Sequence, residues 1–193
     1  GDEADILLKN ADIAMRRAKN KGGSASEFFT DALNKKYRER LMIDNHLRNA
    51  LKLNEFSLLY HPILNAAEKK IIGVEVLLRW YHPILGDISP AIFVPVAEQN
   101  GMIADIGYWI LHTGLEQLKK WHALGHDYFI SFNLSSKQFI DPAFIEKLQV
   151  ILAETDVNPK YIAIEITEQT IMENDQEKIF MLNAFKNIVV KVF

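Results

Sequence analysis

The 193-residue chain contains no cysteine. That excludes a disulfide scaffold, thiolate zinc or iron–sulfur ligation and a cysteine nucleophile, and it fits a reducing, cytoplasmic setting. The sequence also lacks an initiator methionine and any basic-then-apolar leader before residue 20. The expectation is therefore a cut inside a longer polypeptide, with no signal peptide on this segment. Charge of one sign is missing as well: 22 Lys plus Arg stand against 25 Asp plus Glu, a net charge of −3. Charges interrupt the apolar stretches throughout, so no membrane contact is expected of this segment. With 49% hydrophobic residues the chain is too apolar to remain disordered. There is no internal repeat and no low-complexity tract.

The near-neutral sum conceals an uneven distribution. Lys9, Arg16, Arg17, Lys19 and Lys21 face only Asp12 in that stretch, whereas residues 141–178 carry nine acids against three lysines. The basic end favours phosphate and the acidic end favours metal, unless each is simply a solvated face. Neither has the interleaved aromatics of a single-strand nucleic-acid platform, so no DNA or RNA polymer is expected as a partner.

Residues 4–18 read as a helix, with Ile6, Leu7, Ala11, Ala14, Met15 and Ala18 at three and four spacing, broken by Gly22-Gly23. Residues 31–53 read as a second helix, long enough to link two domains, with Leu33, Tyr37, Leu41, Leu47, Ala50 and Leu51 along a stripe. Beyond Asn54 the pattern changes. Apolar stretches at 56–64, 71–80, 128–136, 161–168 and 188–193 read as strands, and 103–124 and 141–153 as helices. Alternation of this kind predicts an α/β parallel sheet or barrel. The six residues between the first two strands are too few for a crossover, so that pair is expected to be antiparallel.

Splitting each strand by parity separates two chemistries. Ile72, Val74, Val76, Leu78 and Trp80 alternate with Gly73, Glu75, Leu77 and Arg79; Ile130, Phe132 and Leu134 with Ser131, Asn133 and Ser135; Ile162, Ile164 and Ile166 with Ala163, Glu165 and Thr167. A parallel strand buried on both sides should be apolar throughout, and an unpaired charge there costs several kcal/mol. In a barrel the second parity faces the mouth, where barrel enzymes place their chemistry. Glu75, Asn133 and Glu165 would then converge, with Arg79 and Thr167 nearby. Two carboxylates and an amide are hard oxygen donors suited to Mg²⁺ or Mn²⁺, and an adjacent arginine suggests phosphate chemistry. The alternative is a Glu75–Arg79 ion pair, Asn133 capping a turn and Glu165 solvated at a strand end. Asn133-Leu134-Ser135 also fits a glycosylation sequon, without a secretory signal to support it. His122 and His126 have helical ligand spacing, but Gly125 interrupts it, and the pair reads as solvated.

These residues carry a resemblance. Glu75-Val76-Leu77-Leu78-Arg79-Trp80 resembles the Glu-Ala-Leu signature, with its trailing Leu-Arg-Trp, of EAL-domain cyclic-di-GMP phosphodiesterases. Tyr60-His61-Pro62-Ile63, His82-Pro83, Ile88-Ser89-Pro90, Phe93 to Glu98, Asn133-Leu134-Ser135 and Glu165-Ile166-Thr167-Glu168 follow the family's order, from about Leu41 to the end. Upstream, Ala11-Asp12-Ile13-Ala14-Met15 and Ala18-Lys19 resemble the final helix of a diguanylate cyclase (GGDEF) domain. The implied division is a GGDEF remnant at 1–30, a linker helix at 31–53 and the front of an EAL domain at 54–193.

The resemblance implies a TIM-like (β/α) barrel with an antiparallel first strand, and two-metal hydrolysis of cyclic-di-GMP to linear pGpG with Mg²⁺ or Mn²⁺. Glu75, Asn133 and Glu165 match metal ligands. Leu77 and Arg79 match positions that contact the dinucleotide, and His61 stands where the family has a substrate-side Gln. Glu168 matches a glutamate that supports the catalytic loop. Val76 replaces the family's Ala on the helix-facing parity. The family continues beyond Phe193 with an Asp-Asp-Phe-Gly loop used for metal binding and dimerisation, then a Lys and a further Glu. From Leu41 this chain offers 153 residues against roughly 250 for a full barrel. The expectation is an incomplete barrel, inactive alone, from a parent with an upstream GGDEF domain and an EAL homodimer interface. A non-catalytic cyclic-di-GMP receptor, or a protein-interaction scaffold, stays open beside the enzyme.

Overall fold

The computed structural model describes residues 31–166, 176–188 and 191–192, with positions 4, 8, 11, 12 and 15. Those five positions are helical, and Ala11 and Met15 among them are exposed. Two compact units are distinguished, Gly1–Leu47 and Arg48–Phe193.

Helix α1 (Asp31–Ala50) buries Ile43, Leu47 and Ala50, a run at i, i+4 and i+7. Leu41, expected on that stripe, is exposed because it stands about 200° around the helix from Ile43. The helix stops at Ala50 rather than residue 53, and the turn that follows places Asn54 in the left-handed region at φ 55°.

Strands β1 (Phe56–Asn65) and β2 (Lys70–His82) form the expected antiparallel hairpin, in one register from Phe56 opposite Trp80 to Ile63 opposite Gly73, and shifted by one residue beyond it to Asn65 opposite Lys70. Asn65 shapes its turn by accepting the backbone amides of Ala67 and Glu68 on Oδ1. At the other end β2 folds back into β3 (Gly86–Ile88), a strand too short to show alternation in the sequence. Buried His82 holds that turn: its Nδ1 accepts the amides of Ile84 and Leu85, both at 3.2 Å, which puts the ring proton on Nε2. Trp80, wholly buried two residues earlier, donates its indole N–H to Glu55 at 2.9 Å.

Helix α2 (Pro90–Asn100) opens with proline in its first turn and ends at Gly101, whose φ of 85° is the left-handed stop that glycine adopts freely. Helix α3 (Ile103–Ala123) then returns the chain to β4 (Phe129–Leu134). The strand expected over 128–136 ends at Leu134 because Ser135 caps the short helix α4 (Ser136–Phe139). Helix α5 (Pro142–Thr155), capped by Asp141, leads through a 3₁₀ turn (Pro159–Tyr161) to β5 (Ile162–Ile166). Helix α6 (Gln176–Ile188) extends to Ile188, leaving β6 (Lys191–Val192) as the described part of the strand expected at 188–193.

The sheet order is β1-β2-β4-β5-β6, with β3 beside β2, and β2, β4, β5 and β6 run parallel. Among the described residues it stays open, with β1 and β6 at its edges. The even parity packs under the helices as expected except at Ile72, which is exposed where the β1–β2 register shifts: Val74, Val76, Ile130, Phe132, Leu134, Ile162, Ile164 and Ile166 meet Leu111, Leu115 and Leu118 of α3, Phe144 and Leu148 of α5, and Met181 and Phe185 of α6.

Gly114 sets the approach of α3 to β4. A Cβ built there meets Phe132 ring carbons at 2.7 and 2.9 Å, and that ring is itself buried. Alanine gains about 1 kcal/mol of helix propensity over glycine, but overpacking a filled core costs about 1–3 kcal/mol. Gly114→Ala is therefore expected to lower the urea midpoint, and combining it with Phe132→Leu to show a favourable coupling of at least ~0.5 kcal/mol in a double-mutant cycle. An unchanged midpoint for Gly114→Ala would show that this contact does not limit the packing.

Candidate functional site

The second parity of the same strands forms one polar face, and strand register decides which groups meet on it. Glu75 is opposite His61 on β1 and beside Ser131 on β4; Ser131 is beside Ala163 on β5. One step further along the chain direction, Asn133 is beside Glu165. Glu75 lies midway along β2, and this register sets it level with Ser131 in the middle of β4 and Ala163 near the start of β5. Asn133 and Glu165 stand one residue before the ends of their strands.

Two diagonal hydrogen bonds tie the face together. Asn133 donates from Nδ2 to Oε1 of Glu75 at 2.8 Å, and Ser131 donates from Oγ to Oε1 of Glu165 at 2.6 Å. Each carboxylate thus has one oxygen committed within the sheet. Oε2 of Glu75 lies 4.0 Å from Nδ1 of His61, a pair that attracts only when the imidazole is protonated. The Glu75 side chain keeps 27% of its surface exposed and that of His61 69%, so both are open to an incoming ligand.

Arg79 and Leu77 occupy the same parity of β2 as Glu75 and are half-buried. The Arg79 guanidinium donates to the carbonyl of Leu78 at 2.9 Å, and among the described residues no carboxylate pairs with it. The Glu75–Arg79 ion pair, one alternative from the sequence, is thus not formed. Nor does Asn133 cap a turn. Ser135 does so instead, accepting the Gln138 amide while the Gln138 side chain accepts the Ser135 amide. Thr167 and Glu168 lie outside the described residues.

The donor set can be tested against a cation. No group of three or more His, Cys, Asp or Glu gathers as a metal cluster among the described residues. The face offers two carboxylates and one amide instead. Their oxygens are hard donors, and the charge and ligand types fit a small divalent cation that completes its shell with water and phosphate oxygen. The histidine pair does not form a competing site: His122 donates from Nε2 to the carbonyl of Tyr128, and His126 stacks on the Tyr128 ring.

Two positioning features escaped the sequence reading. Gln138, buried, donates from Nε2 to the carbonyl of Ile103, and a Cβ on Gly107 would stand 1.8 Å from that nitrogen, so glycine is required where α3 passes. Ser135-Ser136-Lys137-Gln138 is a capping-box sequence, and that signal would have ended the strand at Leu134. Ser131 was visible on the polar parity but carried no assignment.

The chain is 36% identical over 193 residues to the bifunctional diguanylate cyclase/cyclic di-GMP phosphodiesterase MucR of Pseudomonas aeruginosa, covering all of this chain and 28% of MucR. It is 35% identical over 188 residues to an uncharacterised protein of Synechocystis sp., covering 97% of this chain and 27% of that protein. The chain therefore spans little more than a quarter of the length of these relatives. Among solved structures, a MucR phosphodiesterase in complex with c-di-GMP superposes with a TM-score of 0.75 at 34% identity, over 78% of this chain and 62% of that one. The EAL enzyme Bd1971, in its cAMP- and cyclic-di-GMP-bound form, gives 0.72 at 28% identity, over 100% of this chain and 50% of that one. No described helix is long and apolar enough to cross a membrane. The EAL domain family model matches residues 44–192, and by that match the chain belongs to the EAL domain family.

Proposed function

We propose that these residues form the front part of a cyclic-di-GMP phosphodiesterase site, which opens the cyclic dinucleotide to linear pGpG. The observation that carries this reading is the joined polar face. Glu75, Asn133 and Glu165 sit on adjacent parallel strands, two of them linked directly, with a carboxylate oxygen of each glutamate uncommitted to the sheet.

Glu75, Asn133 and Glu165 would hold the divalent cation, Mg²⁺ or Mn²⁺, through oxygen. When bound, the cation neutralises phosphate charge and activates water as a nucleophile. Arg79, without a carboxylate partner among the described residues, contacts a non-bridging phosphate oxygen, and a guanidinium gives that contact direction as well as charge. Leu77 and His61 border the dinucleotide on β2 and β1. Glu168 supports the loop after β5. The residues before α1 belong to the end of a diguanylate cyclase domain, a reading supported by the match of the whole chain to part of bifunctional MucR.

The described residues bring together only three candidate ligands, too few for two metals, so the chain by itself is expected to release pGpG at under ~1% of the rate of the complete gene product. Chromatography of cyclic-di-GMP incubated with Mn²⁺ measures both, and comparable rates would overturn the need for further ligands. In the complete product, Glu75→Gln or Glu165→Gln is expected to lower kcat by about 100-fold or more, EDTA to abolish turnover and Mn²⁺ to restore it. Full activity in both variants would remove these residues from the site.

One observation favours a receptor instead. The His61 imidazole lies within 4.0 Å of Glu75, where a protonated ring would compete with a cation. Calorimetry showing tight cyclic-di-GMP binding by the complete product with Mn²⁺ present, and no pGpG, would establish the receptor.

A further inference from the structure

Ser131 is fully buried, and its hydroxyl could be expected to return to its own backbone, as the buried Thr155 hydroxyl does in donating to the carbonyl of Ile151 at 2.7 Å. It crosses to the neighbouring strand instead and donates to Oε1 of Glu165 at 2.6 Å, a length typical of charge-assisted O–H···O⁻ bonds. A hydroxyl has one proton to give, so this contact uses the whole donor capacity of Ser131.

The register explains how the contact arises. Ser131 is paired with Ala163, and Glu165 is the next residue on that face of β5, so its carboxylate leans back one step along the strand to reach the hydroxyl. Ala163 ends at Cβ and leaves that step open. The Asn133 to Glu75 bond repeats the diagonal one strand over, because Glu75 pairs with Ser131 and Asn133 lies two residues on.

We propose that Ser131 is a positioning residue of the metal centre. By holding Oε1 of Glu165 it fixes the carboxylate rotamer in advance and leaves Oε2 free of that bond, where it would be available to a cation. This rests on the reading of Glu165 as a metal ligand given above. Partners that orient a ligating carboxylate typically change metal affinity by about 10–100-fold when removed.

Mn²⁺ binding to the complete gene product, followed by calorimetry and by the electron paramagnetic resonance signal of free Mn²⁺, tests this without reference to turnover. Ser131→Ala fits the space that serine filled and removes only the hydroxyl, and it is expected to weaken Mn²⁺ binding about tenfold. Ser131→Thr keeps the hydroxyl on a strand that accepts a β-branched residue and is expected to stay within about threefold of the wild type. Ser131→Ala binding Mn²⁺ as the wild type does, or Ser131→Thr binding as weakly as Ser131→Ala, would overturn the proposal. Glu165→Gln separates it from the parent reading. If Glu165→Gln loses Mn²⁺ while Ser131→Ala retains it, the role of Ser131 alone fails. If Glu165→Gln binds Mn²⁺ unchanged, Glu165 is not a ligand and both fail.

Discussion

The register of β4 between β2 and β5 is the constraint on which the site depends. Because side chains alternate along a strand, a slip of one residue would turn Ser131 and Asn133 under the helices and bring Ile130, Phe132 and Leu134 to the polar face. The apolar side prevents that slip. Phe132 is buried against α3 at the one place where Gly114 lets the helix come close, and Ile130 and Leu134 flank it in the same core. The geometry of the polar face is therefore fixed from behind the sheet, by packing on its opposite side.

The carboxyl end of β4 is governed by a second device. Asn133 has to be near the end of the strand to reach toward Glu75, and the chain must leave the sheet immediately afterwards. The capping box of Ser135 and Gln138 ends the strand within two residues, and the Gln138 amide carries that turn onto α3 through the Ile103 carbonyl. Gly107 leaves room for the amide. From Ser135 through Gln138 to α3 the link is made of hydrogen bonds, and the buried Gln138 side chain both accepts and donates, the condition under which such a network rigidifies rather than destabilises.

Much of this was legible in the sequence because alternation is a local signal. The split of Val74, Val76 and Leu78 from Glu75, Leu77 and Arg79 gives the two faces of β2 without knowledge of the neighbours, and the short link before it gives the hairpin. Three strands with the same split give a shared polar face. Register is different: it depends on partners far away in the chain. That Glu75 falls beside Ser131, that Asn133 leans to Glu75 rather than capping a turn, and that Arg79 leaves Glu75 alone could not be read from any one segment. The three-residue β3 and the capping of α4 by Ser135 were lost for the opposite reason. They are shorter than the window in which periodicity shows, and only turn chemistry, His82 in one and a Ser-x-x-Gln pattern in the other, marks them.

The polar face also shows how the fold separates stability from chemistry along one strand. Ser131 and Glu165 occupy positions where valine or isoleucine would suit a parallel strand better, since a buried hydroxyl and a carboxylate must find partners to offset their lost hydration. They find each other, and Asn133 finds Glu75, so desolvation is met inside the site rather than by the core. The hydrocarbon side is then free to be filled without regard to the ligand, which is why Val76 can stand for alanine next to Glu75. Adjacent residues in sequence answer to different demands, one to packing under α3 and the other to the charge it must face, and the two-residue period of the strand keeps those demands from meeting.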